Sequence, residues 1–160
     1  MGRPVGRRAL LLLLALSAAP LGARAELATF SVTKIVIETE KGKFAFNVEL
    51  AVTQAQMGQG LMYRRALAPD AGMLFDYGEP QAIAKNMKNI LIPLDLVFVG
   101  ADGKVVYIRE RAVPLSLDPI VSAMPARALL EVNGGTVARL GLKTGDVVHH
   151  AFFGNAIGSD

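Results

Sequence analysis

Between residues 44 and 52 the chain alternates: Phe44, Phe46, Val48, Leu50 and Val52 fall on one side, and Ala45, Asn47, Glu49 and Ala51 on the other. A period of two is that of a β-strand with one buried face. Residues 32–38, rich in β-branched side chains, predict a partner strand, and Lys41-Gly42-Lys43 a turn that makes the two a hairpin. Thr53 followed three residues later by Gln56 is a capping box, so a helix is expected at once, kept short by Gly58 and Gly60. Further strands are predicted over 72–77, 82–89, 94–99, 104–111, 128–132 and 147–153. Asp102-Gly103 supplies the positive φ angles of a hairpin between the fifth and sixth of these eight strands, 94–99 and 104–111. Residues 113–125, with three prolines, read as a loose connection, and Thr136 as the cap of one helical turn that Gly141 closes. About eight short strands with turn signals between them predict an all-β fold, a jelly-roll-like sandwich or barrel with one or two short helices.

The start of the chain has a different pattern. Arg3, Arg7 and Arg8 precede an apolar run over 9–19, Pro20 and Gly22 break it, and Ala23-Arg24-Ala25 offers small residues in the spacing that signal peptidase reads. Residues 1–25 are therefore expected to be a signal peptide and residues 26–160 a single domain, placing the protein in the periplasm or outside the cell. The apolar run is shorter than the roughly 20 residues of a membrane span, so no span is expected after cleavage. Arg7-Arg8 leaves twin-arginine export open beside the general secretory route.

Cleavage reverses the charge balance. The chain carries 17 Lys and Arg against 14 Asp and Glu, but residues 1–25 hold four Arg and no acid, leaving 13 against 14 and a net charge of −1. The excess of positive charge belongs to the leader, so nucleic acid is not an expected partner. The chain has no Cys, which excludes disulfides, thiol nucleophiles and Cys-ligated metals.

Several motifs recur in a fixed order: Gln56; Gly60-Leu61-Met62-Tyr63-Arg64; Gly72-Met73-Leu74-Phe75; Met87-Lys88-Asn89; Ile92-Pro93-Leu94-Asp95; Asp102-Gly103; Leu130-Glu131-Val132 with Gly134-Gly135; and Gly141 through Gly145-Asp146. Together they resemble the bacterial and archaeal family called domain of unknown function 192, over about residues 44–148. The resemblance implies a β fold of jelly-roll or barrel type with one or two short helices, and implies no activity. The chain departs from the family pattern at one place: where Phe-Trp usually precedes Met-Lys-Asn and Thr follows it, this chain has Lys85, Asn86 and Ile90. If the aromatic pair lines a pocket, a stacking surface has here become polar.

The residues chosen as a candidate binding set are Arg64, Lys88, Asn89 and Asp95. A guanidinium, an ammonium, an amide and a carboxylate on one rim would suit hydrogen bonds to a small polar ligand or a glycan. The alternative is structural: Asp95 pairing with Lys88 or Arg64 to fix a loop, and Asn89 satisfying turn backbone. Met57, Met62, Met73 and Met87 lack tight spacing and are read as core filling rather than a soft-metal site. His149 and His150, adjacent in an expected strand, point to opposite faces and cannot share a metal through it. Ser116 and Ser122 lie in no nucleophile elbow. Asp95, Glu110 and Glu131 are the acids considered for two-carboxylate chemistry. No catalytic set, cofactor or metal pattern emerges. The expected function is a non-catalytic envelope module binding a small polar ligand or glycan; the alternatives are an envelope interaction or assembly factor, with an apolar surface near 113–124, and a carboxylate-dependent enzyme.

Overall fold

The computed structural model describes Gly2 and residues 27–157; the expected signal peptide lies outside the described residues. The chain folds into a curled seven-stranded sheet, a half-barrel, with two short α-helices, in agreement with the all-β expectation. Its strands are β1 (Val32–Thr39), β2 (Gly42–Ala51), β3 (Ala71–Gln81), β5 (Leu94–Val99), β6 (Val105–Ala112), β8 (Ala126–Asn133) and β9 (Val147–His149), in the order β6-β5-β8-β3-β2-β1-β9. Two short strands, β4 (Ala84–Lys85) and β7 (Ile120–Val121), pair separately. Among the described residues no helix is long and apolar enough to cross a membrane.

The hairpin β1–β2 forms as the alternation requires, with Ile35 opposite Phe46 and Ile37 opposite Phe44. Thr53 closes its capping box on Gln56 and starts α1 (Gln54–Gln59). That helix and the loop after it carry the chain over to β3, which pairs with β2 in parallel. Such a crossover is needed because parallel neighbours cannot be joined by a tight turn.

Both sheet faces are covered. One packs Ile35, Phe46, Val48, Leu74, Val97, Leu130 and Val132 against Val137 and Leu140 of α2 (Thr136–Leu140). The other packs Met73, Phe75, Leu94, Leu96, Phe98 and Leu129 beneath Leu61, Ile83, Met87 and Ile90, which come from α1's exit and the 82–93 segment. Strand β5 is consequently buried along its whole length. Met73 and Met87 lie inside this second cluster and Met57 and Met62 pack against it, the gap-filling role read from the sequence.

Four elements differ from the sequence pattern. The strand expected over 72–77 runs on to Gln81, which pairs with Ala126. The strand expected over 82–89 shrinks to Ala84–Lys85, because its pairing partner, Ile120–Val121, lies in the 113–125 connection. The strand expected over 147–153 stops at His149, since the His150 ring accepts from the Phe152 N–H and caps a 3₁₀ turn, Ala151–Phe153. Helix α2 is not capped by Thr136: its N-cap is Gly135, and the side chain that holds its first N–H groups is Asp95, from β5.

Candidate functional site

The four residues singled out in the sequence do not form one rim. Asp95 sits opposite Val132 in the β5–β8 ladder and so shares the face that α2 covers. Fully buried, it accepts hydrogen bonds from the backbone N–H groups of Arg111 (2.8 Å), Gly135 (2.9 Å) and Val137 (2.8 Å). It pairs with neither Lys88 nor Arg64; its carboxylate fastens α2 and the end of β6 to the sheet. Arg64 makes a two-pronged ion pair with Glu49 of β2, Nη2 lying 2.7 Å from Oε2, and that bond holds the guanidinium above its ordinary pKa. Its guanidinium also stands 5.8 Å from the Phe30 ring centroid. Asn89 adopts a left-handed backbone (φ 60°), its carbonyl accepting from the Tyr63 N–H at 2.9 Å and its amide facing Met62 Sδ at 3.8 Å. Of the four, Lys88 lines the cavity that Glu131 shares.

That cavity, about 250 Å³, lies on the other face of the sheet, between α1's exit loop and the 84–90 segment. Met57, Leu61, Met62 and Ile90 form its apolar walls; Lys85, Asn86, Lys88 and Glu131 bring polar groups to it. All three positions at which the chain departs from the family pattern, Lys85, Asn86 and Ile90, therefore line one cavity.

Glu131 is the unusual member. It lies in the middle of β8, opposite Met73 on one side and Leu96 on the other, so its side chain rises from the sheet among core residues. The side chain is 2% exposed. Its Oε1 stands 3.8 Å from Lys85 Nζ, an ionic contact too long for a hydrogen bond. Its Oε2 has no hydrogen-bond partner among the described residues. Burial pushes the carboxyl above its ordinary pKa, against the pull of Lys85. Burial, with the Glu131 charge adding, also pushes the nearby Tyr77 phenol up to about 12.

Lys85 is steered from two sides. Its Nζ lies 3.7 Å above the centroid of the Phe75 ring, a cation–π contact. Gly60, in a left-handed backbone (φ 49°), passes over the same ring: a Cβ there would stand 3.2 Å from Phe75 Cζ and 3.9 Å from Lys85 Nζ. Gly72 allows β3 to lie close against β8, since a Cβ at that position would lie 2.6 Å from the Glu131 backbone carbonyl oxygen. Only glycine fits there, since the same Cβ would also press on Val132 and Val48 on the face that α2 covers.

The histidines lie elsewhere. His149 places Nε2 2.7 Å from Glu38 and Nδ1 2.9 Å from the Asn155 carbonyl, whereas the His150 ring is buried and lies 3.3 Å from Thr33 Oγ1. Burial lowers the His150 pKa.

The family model for domain of unknown function 192 (DUF192), described as an uncharacterised ACR, matches residues 35–150. No curated protein matches the chain. Solved structures similar to the chain include the following two. One is a protein from Sinorhizobium meliloti 1021, described as a proposed transcription regulator, with 44% identity, a TM-score of 0.76, and coverage of 78% of this chain and 98% of its own. The other is a protein of unknown function from Novosphingobium aromaticivorans DSM 12444, with 37% identity, a TM-score of 0.73, and coverage of 77% and 94%.

Proposed function

Because this chain belongs to the DUF192 family, which carries no assigned activity, we propose its function from the cavity itself: a non-catalytic binding module of the cell envelope that takes a small polar ligand over Glu131. The observation that carries this role is the carboxyl of Glu131, a residue that lines the cavity, buried in the centre of the sheet with one oxygen unpartnered among the described residues. An unsatisfied buried polar group costs about 1–3 kcal/mol. A perturbed carboxyl in an apolar cleft with a few convergent polar groups fits a site that a ligand completes.

The cavity is small, which favours a single small molecule, or one sugar unit, over an extended glycan. Glu131 is the one carboxylate among the residues that line it, so two-carboxylate hydrolysis has no support there. The near-balanced charge of residues 26–160 gives no support to nucleic-acid binding. Export rests on the leader pattern of residues 1–25.

Melting temperatures of the purified protein, measured with monosaccharides, amino acids, short carboxylates and amines, test the role. At saturation, a ligand at 100 times its Kd adds about 2.7 kcal/mol, so one class should raise the midpoint by roughly 5–10 °C. Met62→Trp, which adds bulk at the cavity wall, should remove that rise. No shift with any class, or a shift that survives Met62→Trp, would contradict binding in this cavity.

One observation favours the interaction-factor alternative: Val113, Leu115, Leu117, Val121 and Met124 are all exposed. If this surface joins copies of the chain, sedimentation velocity will show association with rising concentration; a monomer throughout removes self-association.

A further inference from the structure

Resting on the binding role just proposed, we infer that the ligand of the Lys85–Glu131 cavity is a small monocarboxylate with a short apolar tail, its carboxylate held between Lys85 Nζ and the Glu131 side chain. Three features of the cavity point to this class.

The first is charge. The lining residues include two cations, Lys85 and Lys88, and one acid, Glu131. With Glu131 ionised the wall carries one positive charge in excess; with Glu131 neutral it carries two. In either state an anion is attracted and an amine is not.

The second is hydrogen bonding. The 3.8 Å between Lys85 Nζ and Glu131 Oε1 is too long for a direct hydrogen bond, and Oε2 has no partner among the described residues. A ligand carboxylate beside them would accept from the ammonium through one oxygen. Through the other it would accept from the protonated Glu131 carboxyl, the form that burial favours. The unpartnered acid and the ammonium then each gain a charge-assisted partner. A ligand hydroxyl would satisfy the acid but leave the excess positive charge, and a ligand amine would add to it.

The third is shape. Gln59 and Asn86 are the other polar side chains on the wall, and its larger apolar side chains are Met57, Leu61, Met62 and Ile90. These apolar side chains offer contact to an alkyl or alkenyl tail. Two methionines let the wall adjust to the tail. A cavity of about 250 Å³ has room for a ligand on the order of ten non-hydrogen atoms, taking roughly 30 Å³ as the share of one water in the liquid.

Isothermal titration with hexanoate, hexan-1-ol and hexylamine, three probes of one tail length and different heads, tests the inference on the unaltered protein. Hexanoate should bind at least about tenfold more tightly than either of the others, the effect expected of one charge-assisted hydrogen bond. Lys85→Met should weaken hexanoate by about tenfold or more. Glu131→Gln, which keeps a donor and cannot ionise, should hold hexanoate while removing the loss of affinity that the unaltered protein shows as pH rises and Glu131 ionises. If the alcohol or the amine binds as well as the acid, or Lys85→Met leaves hexanoate unaffected, the carboxylate assignment fails and a cavity ligand of another class remains. If a monosaccharide from the wider screen binds and hexanoate does not, the outcome is the same. If none of the probes in either experiment binds, both the assignment and the binding role fail.

Discussion

Asp95→Ala is expected to lower the melting temperature by roughly 15–20 °C. The carboxylate, itself fully buried, accepts from three backbone N–H groups, of Arg111, Gly135 and Val137. A hydrogen bond to a charged group contributes about 1.5–3 kcal/mol, and truncation takes the acceptor from three donors, the Val137 N–H among them in a buried position. Taking the low end of that range for each gives about 5 kcal/mol, a large share of the 5–15 kcal/mol typical of a domain. Asp95→Asn keeps the shape but offers one accepting oxygen where two are used, so it should recover only part of the loss. Denaturation followed by circular dichroism decides the matter: a drop under about 5 °C for the Ala variant would show that α2 is held by packing alone. Since Asp95 lies on the face opposite the cavity, neither variant should change hexanoate binding as long as it folds.

Glu131→Gln is expected to act in the opposite direction and to depend on pH. Burial raises the carboxyl's pKa in the folded state above the ordinary value of 4.5. The folded protein therefore holds this proton more tightly than the unfolded chain does. The stabilisation is fully present below the unfolded value and is lost as pH rises through the folded one. The amide cannot ionise, so the variant should lack that decline. It should melt higher than the unaltered protein at neutral pH, by about 3–8 °C if one poorly compensated buried group is relieved, with the gap closing below pH 4.5. A side chain whose removal stabilises the fold is one retained for a use other than stability. A Gln variant less stable at neutral pH, or a gap that does not move with pH, would assign Glu131 to the structural framework with Asp95.

The contrast between these two acids shows what the sequence made legible. Local patterns carried well: the alternation of Phe44, Phe46 and Val48, the Thr53–Gln56 box, and the Asp102-Gly103 hairpin each depend on residues close in the chain, and each forms. Pairings between distant segments did not. Ala84–Lys85 finds its partner in Ile120–Val121, and α2 finds its cap in Asp95, 40 residues before Gly135. Neither leaves a mark in a local window. Asp95 was visible as an acid, but its partners are backbone groups, which no side-chain pattern announces.

Glu131 did leave a signal. Leu130-Glu131-Val132 places an acid in a strand whose neighbours on both faces are apolar, and a strand with no solvent face has nowhere to put a charge. The departures at Lys85, Asn86 and Ile90 were a second signal, and the structure brings all three to the wall that Glu131 shares. What the sequence alone lacked was the crossover of α1 and the 82–93 segment that roofs this part of the sheet.

The most direct test of the central claim is the carboxyl carbon of Glu131 followed by NMR in selectively ¹³C-labelled protein, titrated from acid to mildly alkaline pH with and without hexanoate. A buried acid that faces a ligand cavity should titrate above its ordinary value in the free protein, and its resonance should move when hexanoate is added. A resonance that titrates at the ordinary value and ignores hexanoate would contradict the assignment of this carboxyl to a binding site.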